Sequence, residues 1–487
     1  FSFVIETGNE NVKKGQYVQT KHNENEIIGF ISEITRANRY FERAESVAEY
    51  EKSTPMKENF PISSWEYTIA EVKVLGTYKN EKLGRTFVPP SPGSKVFQAD
   101  EQVLKKFLGF TENGLDIGKL QHHELDAKID MTRLMQKHLA ILAMSGAGKS
   151  HLTSVLLEEL MDRKKEDGRL AVIVVDIHGE YAGFQFDDKY GKRTKVIDGK
   201  EIGVPLKRIR PEMIEEWLPN LSSAQKELLR SVMHQFRSTA KNGGDSSLKS
   251  LVEAIETSSV TDNETTKKTL KRALMELKRY RFLTNKREIP KLSEDVKPGN
   301  LLIIDFSPVD SLRKKQILVS LVARRLFNLR KKGKIPPFLL VIEEAHNFAR
   351  EKAEASEAIS RAIIETIARE GRKFGASLCL ISQRPVNLST TALSQCNTHI
   401  ILRVTNPNDL DHIQQSSEGI DQRIAKSITS LKVGEAIIVG EAVNHPIFVS
   451  VRQRKSVKRE KGLPLHQQAV QYEEEAEKKE KQVEAFL

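Results

Sequence analysis

Two regimes of apolar patterning divide the chain. Over residues 1–98, short alternating runs such as Ile27-Ile28-Gly29-Phe30-Ile31 and Tyr67-Thr68-Ile69-Ala70-Glu71-Val72-Lys73-Val74 are separated by Gly, Asn and Pro. A period of two places one face of each run on a core, and the regular spacing predicts a small β-barrel. The segment Val88-Pro89-Pro90-Ser91-Pro92-Gly93 ends it, because tandem prolines cannot continue a central strand. A polar connector is expected over 99–137.

From residue 138 the runs become near-continuously apolar. They are 138–143, Leu170–Asp176, Leu301–Asp305, Phe338–Ile342, Leu378–Ser382, His399–Arg403 and Ala436–Gly440. Runs of this kind suit parallel strands buried on both faces, with helices as crossovers, so an α/β core is expected over 138–204 and 291–455. Residues 205–290 break the alternation. Leu228, Leu229, Val232 and Phe236 fall at helical spacing there, which predicts an inserted helical bundle with that stripe as its core. A charged tail, 456–487, closes the chain with Tyr472-Glu-Glu-Glu-Ala-Glu-Lys-Lys-Glu-Lys481 and carries no evident chemistry.

In such sheets, active groups gather at the carboxyl ends of strands. The first apolar strand runs directly into Ala143-Met144-Ser145-Gly146-Ala147-Gly148-Lys149-Ser150, followed by a helix opening with His151. Backbone amides of Ser145, Gly146, Ala147 and Gly148 can converge on phosphates, Lys149 can reach the β- and γ-oxygens, and the Ser150 hydroxyl can hold Mg²⁺. Alanine stands at 143 where the usual pattern has glycine, but that position lies at the strand exit, away from the phosphates. Alone, the segment also fits a buried strand capped by a small-residue turn.

Further along, Phe338–Ile342 delivers Glu343 and Glu344 at its end. ATP hydrolysis requires neutralisation of the β- and γ-oxygens by Mg²⁺ and a group that orients and deprotonates the attacking water. Glu343 is assigned to the Mg²⁺ shell and Glu344 to the general base. Gln383, ending the next strand, fits a γ-phosphate sensor. Between them, Ile367–Gly375 carries Arg369 and Arg372, either of which could reach a neighbouring subunit's γ-phosphate, with Arg372 favoured. An ordinary exposed basic helix end fits the same letters. Asp176-Ile177-His178-Gly179-Glu180-Tyr181 ends another strand and could contact nucleotide. Arg133 is a weaker candidate for nucleotide contact, and Arg452-Gln453-Arg454-Lys455 after the last strand could fold over a nucleotide or brace a neighbour.

Composition adds a direction. The 487 residues carry a net charge of +11, from 77 basic and 66 acidic side chains, which favours a polyanionic partner and nucleic acid first. Cys379 and Cys396 form neither a metal-ligand spacing nor a disulfide framework, which favours a reducing cytoplasm. No apolar stretch approaches a membrane span and no signal peptide is visible. The opening at Phe1 rather than methionine suggests a trimmed start.

Taken together, Met144–Ser150, Asp176–Tyr181, Glu343-Glu344-Ala345-His346, Gly371-Arg372-Lys373-Phe374-Gly375 and Ser382-Gln383-Arg384-Pro385 resemble the HerA family, archaeal hexameric DNA translocases of the HerA–FtsK superfamily. That resemblance spans about residues 140–390. It implies a RecA-like P-loop ATPase core with an amino-terminal HAS barrel and a homo-hexameric ring threading double-stranded DNA. It also implies ATP and Mg²⁺ between subunits, and a NurA nuclease partner in end resection, docked on the barrel. Family members often have proline where Ile177 stands, which leaves the turn less rigid. The DNA-gripping residues carry no recognisable motif, and Arg324-Arg325 and Arg330-Lys331-Lys332 are candidates by charge only. Two other readings compete: a secretion or conjugation motor of the same superfamily, and a scaffold that binds ATP while holding a nuclease on DNA.

Overall fold

The computed structural model describes residues 1–6, 11–22, 25–38, 45, 66–79, 82–84, 86, 88–241, 247–284, 288–354, 357–417, 419–458 and 465–484. Six amino-terminal strands, β1 (Ser2–Ile5), β2 (Tyr17–His22), β3 (Asn25–Asn38), β4 (Glu66–Lys79), β5 (Lys82–Gly84) and β6 (Val96–Gln98), form an antiparallel sheet. Its order is β1-β4-β3-β2-β6, with β5 on β4, and among the described residues no pairing closes β6 onto β1. Val18, Ile31, Ala70 and Val72 make its own small core. Tyr17 and Ile28 instead pack into the main body. The Tyr17 hydroxyl donates to Pro446 O at 3.2 Å, and Phe30 stacks on Phe448 with ring centroids 5.6–5.8 Å from its two aromatic neighbours Tyr17 and Phe448.

The main sheet contains β7 (Phe110–Leu120), β8 (Asp126–Ile129), β9 (Leu139–Leu142), β10 (Ala171–Asp176), β11 (Thr194–Asp198) and β14 (Leu301–Asp305). It continues with β15 (Phe338–Ile342), β16 (Ala376–Ser382), β17 (Thr398–Ile401), β18 (Glu435–Gly440) and β19 (Ile447–Val451). The order is β11-β14-β10-β15-β16-β9-β17-β18-β19-β7-β8. Pairings from β11 to β17 are parallel, and those from β17 to β8 antiparallel.

Strict alternation explains why the central strands need apolar residues throughout. Ile173 and Val175 enter the hydrophobic cluster on one face, while Val172 and Val174 enter the cluster on the other. Leu340 and Ile342 against Leu339 and Val341 repeat the pattern one strand away. Each such side chain, fully withdrawn from water, contributes about 1.5–3 kcal/mol. Helices Lys149–Asp162, Leu312–Lys331 and Arg361–Glu370 provide the crossovers.

The expected connector is not a connector throughout. It holds helix Glu101–Leu108, β7 and β8, and the two strands extend the main sheet beyond β19. Asp100 caps that helix through Gln102 N and Val103 N, and Gly109 ends it at φ 83°. Strand β7 was hidden because its buried Leu115, Ile117 and Leu120 lie among polar letters, with register shifts against β8 that break a period of two.

Helices Pro211–Trp217, Ser223–Lys241, Leu248–Glu256 and Glu264–Arg279 lie between the short parallel pair β12 (Val204–Pro205) and β13 (Leu283–Thr284). Leu228, Leu229, Val232 and Phe236 are buried, and they share one cluster with Trp217 and with the strand residues Ile173 and Leu340. The core of these helices is therefore continuous with one face of the main sheet. A helix, Leu465–Glu484, follows with residues 466–475 exposed.

Candidate nucleotide site

Adjacent placement of β10, β15, β16 and β9 brings Asp176, Glu343, Ser382 and the glycine loop to one edge of the sheet. Backbone bonds lock the alignment: Ala143 N donates to Ser382 O at 3.2 Å, Met144 N to Arg403 O at 2.9 Å and Glu343 N to Val175 O at 3.2 Å. Ala143 is fully buried at the strand exit, so its methyl faces the core rather than the loop's concave side. Gly146 and Gly148 adopt φ of 77° and 101°, a region that disfavours any side chain. Helix Lys149–Asp162 starts at Gly148 with no side-chain cap on its first-turn amides, and nothing stands within 4 Å of where a Gly146 Cβ would lie. Open amides, a positive helix end and a following lysine and serine fit a bound polyphosphate.

The Lys149 ammonium donates to Glu344 Oε1 at 2.6 Å, with the two side chains 8% and 6% exposed. Gln383 Nε2 reaches the same oxygen at 2.5 Å. His346 Nδ1 lies 3.5 Å from Glu344 Oε2 and 3.1 Å from Ser382 Oγ. Burial pushes the His346 imidazole below its usual range, against the opposing pull of Glu344. Glu344 is held at φ 47°, ψ 45°, a left-handed conformation costing about 1–2 kcal/mol in a residue with a side chain. Strain of this kind persists where the surroundings over-determine it, and here Lys149, Gln383 and His346 do so.

Glu343 sits deeper, fully buried, with Oε1 accepting from the Tyr181 hydroxyl at 3.0 Å and Oε2 from Ile177 N at 3.2 Å. Burial first, then the Asp176 carboxylate beside it, raises its pKa well above the carboxylate range. Asp176, also fully buried and raised mainly by burial, accepts from His178 N, Glu180 N and Tyr181 N at 3.3, 3.1 and 2.9 Å. It thereby folds the 177–181 turn back toward the loop. That turn presents Glu180, whose Oε2 accepts from the Ser150 hydroxyl.

Lys149, Ser150, Glu343, Glu344 and Gln383 thus come together, with Ser145, Gly146, Ala147 and Gly148 forming the loop beside them. Other expected site residues lie elsewhere. Arg369 ends its helix and Arg372 lies in the following turn, just before β16 begins, at the sheet edge opposite Lys149. Arg372 is exposed, and Arg369 NH1 lies 3.8 Å from Glu365. Arg133 does not reach the loop in this chain, because it precedes β9 on that same far edge. Its Nε donates to Glu441 O at 2.8 Å and its NH2 to Asn444 Oδ1 at 2.9 Å.

His151 Nε2 lies 2.9 Å from Arg452 O, so it ties the loop helix to the end of β19. Arg452 in turn donates to Asp116 O, Glu158 and Glu159 at 3.1, 2.8 and 2.7 Å, while Lys455 pairs with Glu159 at 3.1 Å. This basic segment braces the loop helix of its own chain. Four of the five charge-only DNA candidates are similarly engaged within the fold: Arg324 with Glu216, Arg325 with Glu288 at 2.9 Å, Arg330 with Phe374 O at 2.6 Å and Lys331 with Glu370 at 2.9 Å, while Lys332 is exposed. The sequence motif alone assigns Glu180 no separate role. The signal available for it was an acid shortly after a strand neighbouring the Glu343 strand.

The fold and the site together define a P-loop ATPase with a RecA-like α/β core. A family model described as the central domain of helicase HerA matches residues 115–326. A probable helicase of Methanocaldococcus jannaschii is 32% identical over 465 residues, covering 90% of this chain and 86% of the relative. The DNA double-strand break repair helicase HerA of Pyrococcus furiosus is 29% identical over 517 residues, covering 93% and 90%. Among solved structures, VirB4 of Thermoanaerobacter pseudethanolicus superposes with a TM-score of 0.57 at 17% identity, covering 71% of this chain and 98% of that one, which shows a shared fold. The chain belongs to the HerA helicase family.

Proposed function

We propose that the protein is the subunit of a homo-hexameric motor that translocates double-stranded DNA at the expense of ATP. The observation that carries this reading is the buried Lys149–Glu344 pair at the mouth of the glycine loop, with the half-buried Gln383 on the same carboxylate oxygen. Lys149 binds the β- and γ-phosphates, and phosphate oxygens arriving there compete with Glu344 for the ammonium. Glu344, released from Lys149 but still held by Gln383 and His346, accepts a proton from the attacking water. Gln383, hydrogen-bonded to that base, registers the γ-phosphate through the same contact. Mg²⁺, held at Ser150 and a neighbouring carboxylate, would neutralise charge on the β- and γ-oxygens. Arg372, with Arg369 as second choice, acts on the neighbouring subunit's site, a role supported by their position across the sheet from their own loop.

The relatives described as DNA double-strand break repair helicases, together with a net charge of +11, support DNA as the track. End resection with a NurA-type nuclease is the setting that the family resemblance implies. In this reading the six-stranded amino-terminal sheet is a HAS-type barrel that docks the nuclease, residues 205–290 are an inserted helical module, and the protein works in the cytoplasm. Among the described residues no helix is long and apolar enough to cross a membrane. The test is phosphate release with and without duplex DNA, alongside the native mass. Stimulation by duplex in a ring, abolished by Lys149→Ala, is the expected result. A monomer without stimulation refutes the motor, and stable nucleotide binding without turnover points to the scaffold instead.

A further inference from the structure

The Ser150 hydroxyl marks where a divalent ion would stand on a bound nucleotide, so whichever carboxylate reaches that hydroxyl is the one placed to share the ion's coordination shell. Two acids compete. Glu343 is withdrawn: its side chain is fully buried, and both oxygens are occupied from behind by the Tyr181 hydroxyl and Ile177 N. Glu180 lies in front, partly exposed, with Oε2 in hydrogen-bond contact with Ser150 Oγ.

The backbone that carries it is held in place. Asp176 accepts from three successive-turn amides, those of His178, Glu180 and Tyr181, so the backbone carrying Glu180 is clamped to the end of β10. The Ser150 end is equally fixed, since its carbonyl accepts from Ser154 Oγ at 2.8 Å within the loop helix. No group of three or more His, Cys, Asp or Glu side chains able to hold an ion by itself occurs among the described residues. An ion here would therefore rest on nucleotide phosphates plus one or two side chains, which is the usual manner of Mg²⁺.

We infer that Glu180, rather than Glu343, is the carboxylate that joins Ser150 in holding the nucleotide's divalent ion, while Glu343 is a positioning residue that pins the 177–181 turn through Tyr181 and Ile177. The inference rests on the nucleotide-site reading above. In that arrangement the ion's shell and the general base Glu344 belong to different loops, one after β10 and one after β15.

The test is binding rather than turnover. A fluorescent ADP is titrated into the full chain with Mg²⁺ and with EDTA, for wild type, Glu180→Gln and Glu343→Gln. The glutamine at 180 keeps an acceptor for Ser150, and melting curves verify that each variant is folded. Loss of even an outer-shell partner of a metal ligand costs about 10–100-fold in metal affinity, so Glu180→Gln should lose at least about tenfold of the Mg²⁺-dependent gain while its affinity in EDTA is unchanged. Glu343→Gln should retain the gain. Mn²⁺ resonance spectra on the same complexes give a second reading, altered in Glu180→Gln. Full retention of the gain and an unaltered spectrum in Glu180→Gln, or an equal loss in Glu343→Gln, overturns the assignment. Absence of nucleotide binding in wild type, with or without Mg²⁺, would instead sink the nucleotide site itself.

Discussion

Replacing Glu344 with glutamine should move binding and turnover in opposite directions. In the structure the carboxylate neutralises Lys149 across 2.6 Å, with both side chains less than a tenth exposed. A nucleotide must take that ammonium from Glu344 before it gains a full contact. A hydrogen bond between charged groups is worth about 1.5–3 kcal/mol net, and the amide would keep an ordinary one of about 1 kcal/mol. The competing interaction therefore weakens by about 0.5–2 kcal/mol, and at 1.4 kcal/mol per decade nucleotide should bind about two- to thirtyfold more tightly. Glutamine cannot accept the proton from water, so turnover should fall by about 10²–10⁴-fold, the contribution of a general base. Fluorescent ADP titration and DNA-stimulated phosphate release measure the two arms on one preparation. Weaker nucleotide binding in Glu344→Gln would show that Lys149 is not in competition, and unchanged turnover would remove Glu344 as the base.

Arg372→Ala should leave nucleotide affinity intact and cut turnover by about 10³–10⁵-fold. Mixing it with Lys149→Ala subunits should restore part of the activity, because an intact loop then meets an intact arginine across an interface; no recovery in the mixture rules out action in trans. Arg452→Ala removes the charge partner of Glu158, whose carboxylate has no solvent exposure, and breaking such a pair should cost about 3–5 kcal/mol in urea unfolding. His138, buried with Nε2 against Ala368 O and Nδ1 accepting from Leu378 N, is held by burial to a pKa of about 4. Its unfolded form gains a proton from pH 6.5 downward while the folded form does not. Stability should therefore fall between pH 6.5 and 4, by up to about 3 kcal/mol from this group. His138→Gln should flatten that portion of the melting-temperature profile.

The parallel half of the sheet was legible because each strand is buried on both faces and needs uninterrupted apolar letters. Leu301–Asp305 and Phe338–Ile342 were delimited from sequence to the residue. Strand β11 was not, as Thr194-Lys195-Val196-Ile197-Asp198 lies at the sheet edge and only Ile197 is buried. Antiparallel β7 is likewise half-polar, and a search for uninterrupted apolar runs passes over it. At the site, the glycine loop and the acids at 343 and 344 could be found because their chemistry is local to strand ends. The partnerships could not. Nothing in the letters says that Glu180 rather than Glu343 meets Ser150, or that Arg452 grips Glu158 from 294 residues away, since both depend on which strands become neighbours.

Glu158 also bears on where the ATPase unit stops. One of its oxygens accepts from Lys455 N, Ser456 N and Ser456 Oγ at 2.8, 2.8 and 2.6 Å, and Val457 N donates to Asp187 at 2.9 Å. Hydropathy places the boundary at 455, where apolar letters run out. An anion with no access to water sets it instead by its appetite for donors. Trimming at 455 would delete two of them and leave a buried charge under-solvated directly behind the phosphate loop, whereas trimming after Val457 would spare the whole set. The minimal motor is thus measured in amide protons rather than in hydrophobic residues.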